Sequence, residues 1–180
     1  GNLTYDGTRT YVYDCENRLI TSGSPLRYYK YDYQGRRGRK VNTPFLTRYA
    51  YDGDRIIAEY NYTGAMQRKF VYGPGIDEPI ALVTCEVSPV TYYYHFDGLG
   101  SVVALSNSSG ALVEKYTYDV YGRVTIKSPT DEIRSVSRYG NRFMFTGREY
   151  DSDTGLYYYR ARYYHPTIGR FIQTDPISIH

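Results

Sequence analysis

The chain has 180 residues, among them 25 Tyr, 6 Phe, no Trp, 17 Gly and 8 Pro, and its 22 basic and 19 acidic residues leave a net charge of +3. So much aromatic side chain argues against intrinsic disorder, and so mild a charge argues against a nucleic-acid partner. Neither a Gly-X-Y period nor an a/d heptad appears, and the longest apolar runs, residues 80–83 and 102–105, fall far short of the roughly 20 residues of a membrane span.

Gly1-Asn2-Leu3 reads as the tail of a repeat unit, and an opening on Gly1 with no visible signal peptide points to a processed or recombinant piece. The first full unit is Tyr11-Val12-Tyr13-Asp14-Cys15-Glu16-Asn17-Arg18-Leu19, and it recurs at residues 29–36, 49–56 and 116–124. Tyr-x-Tyr has the period of a strand, so both rings leave one face and stack on cross-strand neighbours. The Asp folds its carboxylate onto nearby backbone N–H groups, and Gly or Asn supplies the positive φ of a short bulged hairpin loop. Each unit therefore predicts a strand, a tight turn and the start of the returning strand.

Within the second unit, Gly35-Arg36-Arg37-Gly38-Arg39-Lys40 is basic enough to hold a polyanion, but it reads first as a solvated turn. Gly73-Pro74-Gly75 is a turn rather than a phosphate loop, since no Gly-Lys-Ser/Thr follows it. Asp97-Gly98-Leu99-Gly100 and Asn107-Ser108-Ser109-Gly110 bracket an apolar run of strand length. Ser128 to Arg134 offers either one helical turn, with Ser128 as cap and Pro129 at the first position, or an irregular excursion between strands. Asp153-Thr154-Gly155 carries the tripeptide of pepsin-like proteases, yet a hairpin between Tyr-rich strands accounts for every residue of it. The fold class is all-β, an antiparallel ribbon of consecutive hairpins.

Cys15 and Cys85 either pair or stay free, and His95, His165 and His180 have no spacing that builds a zinc site. Asp151 and Asp153 offer two oxygens to a calcium ion, without the rest of a calcium loop. No cofactor is expected. Rows of Tyr also suit stacking on a cell-surface glycan, although their repeat period fits a core ladder better.

Residues 92–124, Phe145-Thr146-Gly147-Arg148-Glu149-Tyr150-Asp151-Ser152-Asp153-Thr154-Gly155-Leu156-Tyr157-Tyr158 and Arg162-Tyr163-Tyr164-His165-Pro166-Thr167-Ile168-Gly169-Arg170-Phe171-Ile172-Gln173-Thr174-Asp175-Pro176 resemble the YD-repeat or Rhs proteins, which include the C components of Tc toxins and the teneurins. The resemblance implies degenerate repeats over residues 1–90 and a core-like block over 91–180, within one continuous β domain that forms part of a shell or solenoid. In Tc-type C components the core is similar to an aspartyl autoprotease that severs an enclosed cargo. Its Arg and first Asp match Arg162 and Asp175, and its second Asp and scissile bond would lie beyond residue 180. Peptide hydrolysis needs two carboxylates, so Arg162 and Asp175 are read here as vestigial, an ion pair pinning the last strand. The expected function is a non-enzymatic, secreted or cell-surface scaffold that assembles with its own copies. A remnant autoproteolytic core of a toxin-delivery protein and a glycan-binding adhesion module are the alternatives.

Overall fold

The protein was analysed as a computed structural model, in which residues 1–23, 27–75, 77–85 and 87–176 are described. Strands β1 (Tyr11–Tyr13), β2 (Leu19–Ser22), β3 (Arg27–Tyr31), β4 (Arg37–Asn42), β5 (Phe45–Asp52), β6 (Arg55–Tyr60) and β7 (Met66–Tyr72) lead into β8 (Pro79–Thr84) and β9 (Val90–Phe96). They continue through β10 (Val102–Ser106), β11 (Leu112–Tyr118), β12 (Val124–Lys127) and β13 (Ile133–Arg134). Each is hydrogen-bonded to the next in chain order, which makes one 13-stranded antiparallel sheet. A second sheet of four strands follows: β14 (Glu149–Asp151), β15 (Leu156–Tyr158), β16 (Tyr163–His165) and β17 (Arg170–Phe171). The all-β ribbon expected from the repeats is what forms.

The turns explain why the unit is written as it is. Asp14 Oδ1 accepts the N–H groups of Glu16 (3.0 Å) and Arg18 (2.9 Å). Asp32, Asn61, Asp97, Asn107 and Asp119 each hold residues two and four further on in the same way. The third residue of each loop has positive φ: Asn17, Gly35, Gly64, Gly100, Gly110 and Gly122. The Arg that closes the unit returns to the Asp that opens it, at 2.7 Å for Arg18–Asp14 and 2.8 Å for Arg36–Asp32. Register shifts recur beside the turns, as between Lys30/Tyr31, Ala50/Tyr51 and Val71/Tyr72, and such bulges increase the twist of the ribbon.

The second Tyr of the unit has a use that period 2 does not reveal. Tyr31 Oη donates to Leu19 O (2.6 Å), Tyr51 to Arg37 O (2.9 Å), Tyr72 to Ile56 O (2.9 Å) and Tyr118 to Val102 O (2.5 Å). In every case the acceptor lies on the preceding strand, and for β4–β5, β6–β7 and β10–β11 the bond sits at the end of the seam opposite its connecting turn. Phenylalanine would stack equally well but could not make this bond.

The second sheet packs on one face of the ribbon. One core cluster joins Ile56, Phe70, Leu82, Tyr94 and Leu105 of the ribbon to Phe143, Met144 and Tyr157. The other joins Tyr11, Leu19 and Tyr29 to Leu156, Tyr158, Tyr163 and Ile172. Four expectations need comment. Residues 128–134 make no helix, because the Ser128 hydroxyl accepts the Glu132 N–H (3.0 Å) in a turn that joins β12 to β13. The basic run is not a solvated turn: Arg37 to Lys40 lie on β4, and Arg37 is 0% exposed. Cys15 and Cys85 are unpaired. Among the described residues, no helix is long and apolar enough to cross a membrane.

Candidate functional site

Two constellations of charge meet where the second sheet covers the ribbon. The first is buried and built on Arg37. Its guanidinium lies 2.8 Å from Glu149 and 3.7 Å from Asp151, and stacks on Tyr158 at 4.4 Å. Lys40, three residues further along β4 and past the register shift opposite Lys30/Tyr31, places Nζ 2.6 Å from Asp151 and 2.7 Å from Asp153. Arg142 bonds Glu59, approaches Glu149 at 3.5 Å and stacks on Tyr49, while Arg68 holds Glu59 at 2.8 Å. Burial by itself would raise the carboxyl pKa of Asp151, but Lys40 and Arg37 outweigh it and hold the group below its ordinary value. Glu59 is lowered in the same way, burial being overcome by Arg142 and Arg68. Tyr158, sealed beneath Arg37, is pushed up to about 12 by burial, with the guanidinium pulling the other way. Four cations and four carboxylates thus form a closed network that clamps β14 and its hairpin onto the ribbon.

The two carboxylates considered for calcium sit in this network. Asp151 is 2% exposed rather than at the surface, and both it and Asp153 converge on Lys40. The backbone N–H groups of Thr154 (3.1 Å) and Gly155 (2.7 Å) both reach Asp151 O, so Asp153-Thr154-Gly155 is the hairpin turn between β14 and β15. His165 faces Asp6 at 3.1 Å and His95 faces Ser106 at 2.8 Å; His180 lies outside the described residues.

The second constellation lies at the rim. Arg162 Nη1 is 2.9 Å from Asp175 Oδ2, with side chains 25% and 37% exposed, and the guanidinium rides 3.9 Å over the Phe171 ring. The Tyr159 N–H donates to Arg162 O (2.8 Å), which fixes the loop between β15 and β16. A cleft of about 330 Å³, lined by Arg18, Arg36, Asp54, Tyr158, Arg160 and Pro176, opens beside it. The two sequence candidates therefore meet, at a partly exposed position.

What sequence reasoning missed are the side chains that hold the segment leading to Asp175. Gln173, 6% exposed, accepts the Tyr163 N–H (2.7 Å) and donates to Asn17 O (2.9 Å). Asn2 Oδ1 accepts the Thr174 N–H (3.0 Å), and Asn17 Nδ2 reaches Thr174 Oγ1 (3.2 Å). A signal was present in the sequence: Asn17 stands where Gly35 and Gly122 stand in sister units.

A family profile described as the Teneurin YD-shell matches residues 1–179. The chain is 36% identical over 183 residues to a tRNA3(Ser)-specific nuclease, WapA, of Bacillus spizizenii, covering 98% of this chain and 8% of that protein. It is 28% identical over 204 residues to double-stranded DNA deaminase toxin A of Burkholderia cenocepacia, covering 96% of this chain and 14% of that protein. Among solved structures, the TcdB2-TccC3 complex superposes with a TM-score of 0.70 at 20% identity, over 95% of this chain and 9% of that chain. These relatives overturn the expectation of a non-enzymatic structural scaffold, because they carry this ribbon inside proteins named for enzymatic toxicity. Composition misled here for a physical reason: 180 residues can report only on themselves, and they match less than a sixth of either relative's length. Excluding nucleic acid on net charge has the same weakness, given relatives named for tRNA and for double-stranded DNA. With the profile spanning the ribbon, both core clusters and the rim pair, the chain belongs to the Teneurin YD-shell family.

Proposed function

We propose that this chain is the core segment of a secreted or delivered toxin polypeptide, and that its Arg162–Asp175 rim is half of an aspartyl self-cleavage site that frees an enzymatic cargo. The observation that carries the proposal is the placement of the pair. Asp175 is held by Arg162 at 2.9 Å at an open rim, whereas the carboxylates of Asp151 and Glu114, which only hold the fold, are buried at 1% and 0% exposure. Most of each toxin relative lies outside the shared region, which leaves room there for a cargo enzyme. By analogy with those relatives the cargo acts on nucleic acid.

In this reading Asp175 is one carboxylate of a pair, the other coming from the chain beyond residue 180. One carboxylate takes a proton from water as the oxygen attacks the scissile carbonyl carbon, and the other protonates the leaving nitrogen. Arg162 orients Asp175 and offsets negative charge that develops during attack. The test is intact-mass analysis of the full encoded polypeptide. Two fragments cut beyond residue 180 are expected, and Asp175→Asn should leave a single uncut chain. The released fragment should then degrade or deaminate tRNA or double-stranded DNA. An uncut wild-type polypeptide, or a cut that survives Asp175→Asn, would refute the proposal.

A further inference from the structure

We infer that Asn17 and Gln173 are positioning residues for Asp175, their side-chain amides anchoring the two residues that precede it. The inference rests on the self-cleavage reading above and adds to it the groups that set the geometry. Ile172 is tied on both sides through its backbone: its N–H bonds Tyr163 O at 3.0 Å, and its O accepts the Leu3 N–H at 2.8 Å. Asp175 follows three residues later, so what holds residues 173 and 174 bears directly on where its carboxylate sits.

Side chains hold both intervening residues. Gln173 takes the N–H of Tyr163, the residue after Arg162, and gives its own N–H to the backbone of Asn17. One buried amide therefore ties the start of β16 beside Arg162, the segment before Asp175 and the first repeat turn together. Asn17 then holds Thr174, the residue before Asp175, through Nδ2, and Asn2 holds the same residue's N–H.

The choice of Asn at position 17 is otherwise hard to explain. The backbone there has φ +66°, a conformation glycine adopts without a steric penalty, and the equivalent loop positions are Gly35, Gly64, Gly100, Gly110 and Gly122. Asparagine makes the same turn and adds an amide, and this amide is the one that reaches toward the reacting strand.

Three substitutions in the full encoded polypeptide test the assignment. Asn17→Gly keeps the turn and removes only the amide. Asn17→Asp keeps the turn, the size and the acceptor but has no N–H to give. Gly110→Asn places an asparagine at a sister turn with open space around it, as a control. Both Asn17 variants should slow self-cleavage about tenfold, with circular dichroism unchanged and faster hydrogen exchange at the Thr174 amide. Gly110→Asn should cleave at the wild-type rate. A purely structural role would spare Asn17→Asp, since the turn and packing survive. If Asp175→Asn abolishes cleavage while Asn17→Gly cleaves at the wild-type rate, the positioning role is overturned and the self-cleavage site stands. If the unaltered polypeptide does not cleave, or cleaves without Asp175, both fall.

Discussion

The ribbon of residues 11–134 and the block of residues 135–176 are both antiparallel β structure, yet they are held by different means. The ribbon's turns are held locally: Asp14 to Arg18 and Asp32 to Arg36 span four residues, and the Asx oxygen holds the fourth backbone N–H again at Asn61, Asp97, Asn107 and Asp119. The block is held by bonds that cross more than a hundred residues, such as Arg37 to Glu149 and Lys40 to Asp151. A local address can be copied from hairpin to hairpin, so the ribbon extends by repetition. A long-range address is written once, and it decides where the repetition stops.

Breaking a long-range address should therefore cost far more than breaking a local one. Arg37→Ala leaves Glu149 and Asp151 short of a buried counter-charge and should lower stability by roughly 3–5 kcal/mol, read by urea unfolding. Acid should find the same region. Asp151 and Glu59 have folded pKa values below their unfolded ones, so their contribution is complete above about pH 5 and is lost as pH falls through the unfolded and then the lowered values. Melting temperature should drop steeply below about pH 4 in the wild type and more gently in a Glu59→Gln, Asp151→Asn variant, itself less stable at neutral pH. A wild type with a flat acid limb would sink this account of the clamp.

Two glycines sharpen the contrast. Gly122 and Gly110 hold equivalent turns with φ +84° and +81°, but a Cβ at Gly122 would run into the Phe145 ring, whereas at Gly110 it meets open space. Gly110→Ala should cost about 1 kcal/mol from backbone strain alone, and Gly122→Ala about 2–4 kcal/mol once overpacking is added. Equal losses would mean that the block does not bear on the ribbon's turn. Tyr51→Phe removes a single hydroxyl-to-carbonyl bond and should cost about 1 kcal/mol. The smallest effect belongs to Arg123→Ala, because its pairing with Asp119 at 3.2 Å is solvent-exposed, and thermal unfolding should not detect it.

How much of this was legible follows from the same contrast. Tyr-x-Tyr-Asp and a positive-φ residue announce strand, turn and face, because each works within a few residues of itself. Arg162 and Asp175 could be named as a pair only through resemblance, since no spacing rule brings together a residue of the β15–β16 loop and one four residues past the last strand. Arg37 was unreadable: the sequence places it in a basic run, and only the second sheet, arriving more than a hundred residues later, buries it. Lys40 was hidden for the same reason. Gln173 had no period, motif or charge to mark it.

The tyrosine-to-carbonyl bonds have a mechanical consequence. Along one rim, turns close the seams β3–β4, β5–β6, β7–β8 and β11–β12, and tyrosine hydroxyls close the alternating seams β2–β3, β4–β5, β6–β7 and β10–β11. The rim is therefore stitched almost continuously, and lateral load is shared from hairpin to hairpin. At β8–β9 the stitch is missing, because Phe96 occupies the tyrosine's place before Asp97 and has no hydroxyl to offer. A force that pries this rim apart therefore meets no hydroxyl-to-carbonyl bond at that seam, and only the strand pairing from Ala81 to Thr84 resists it there.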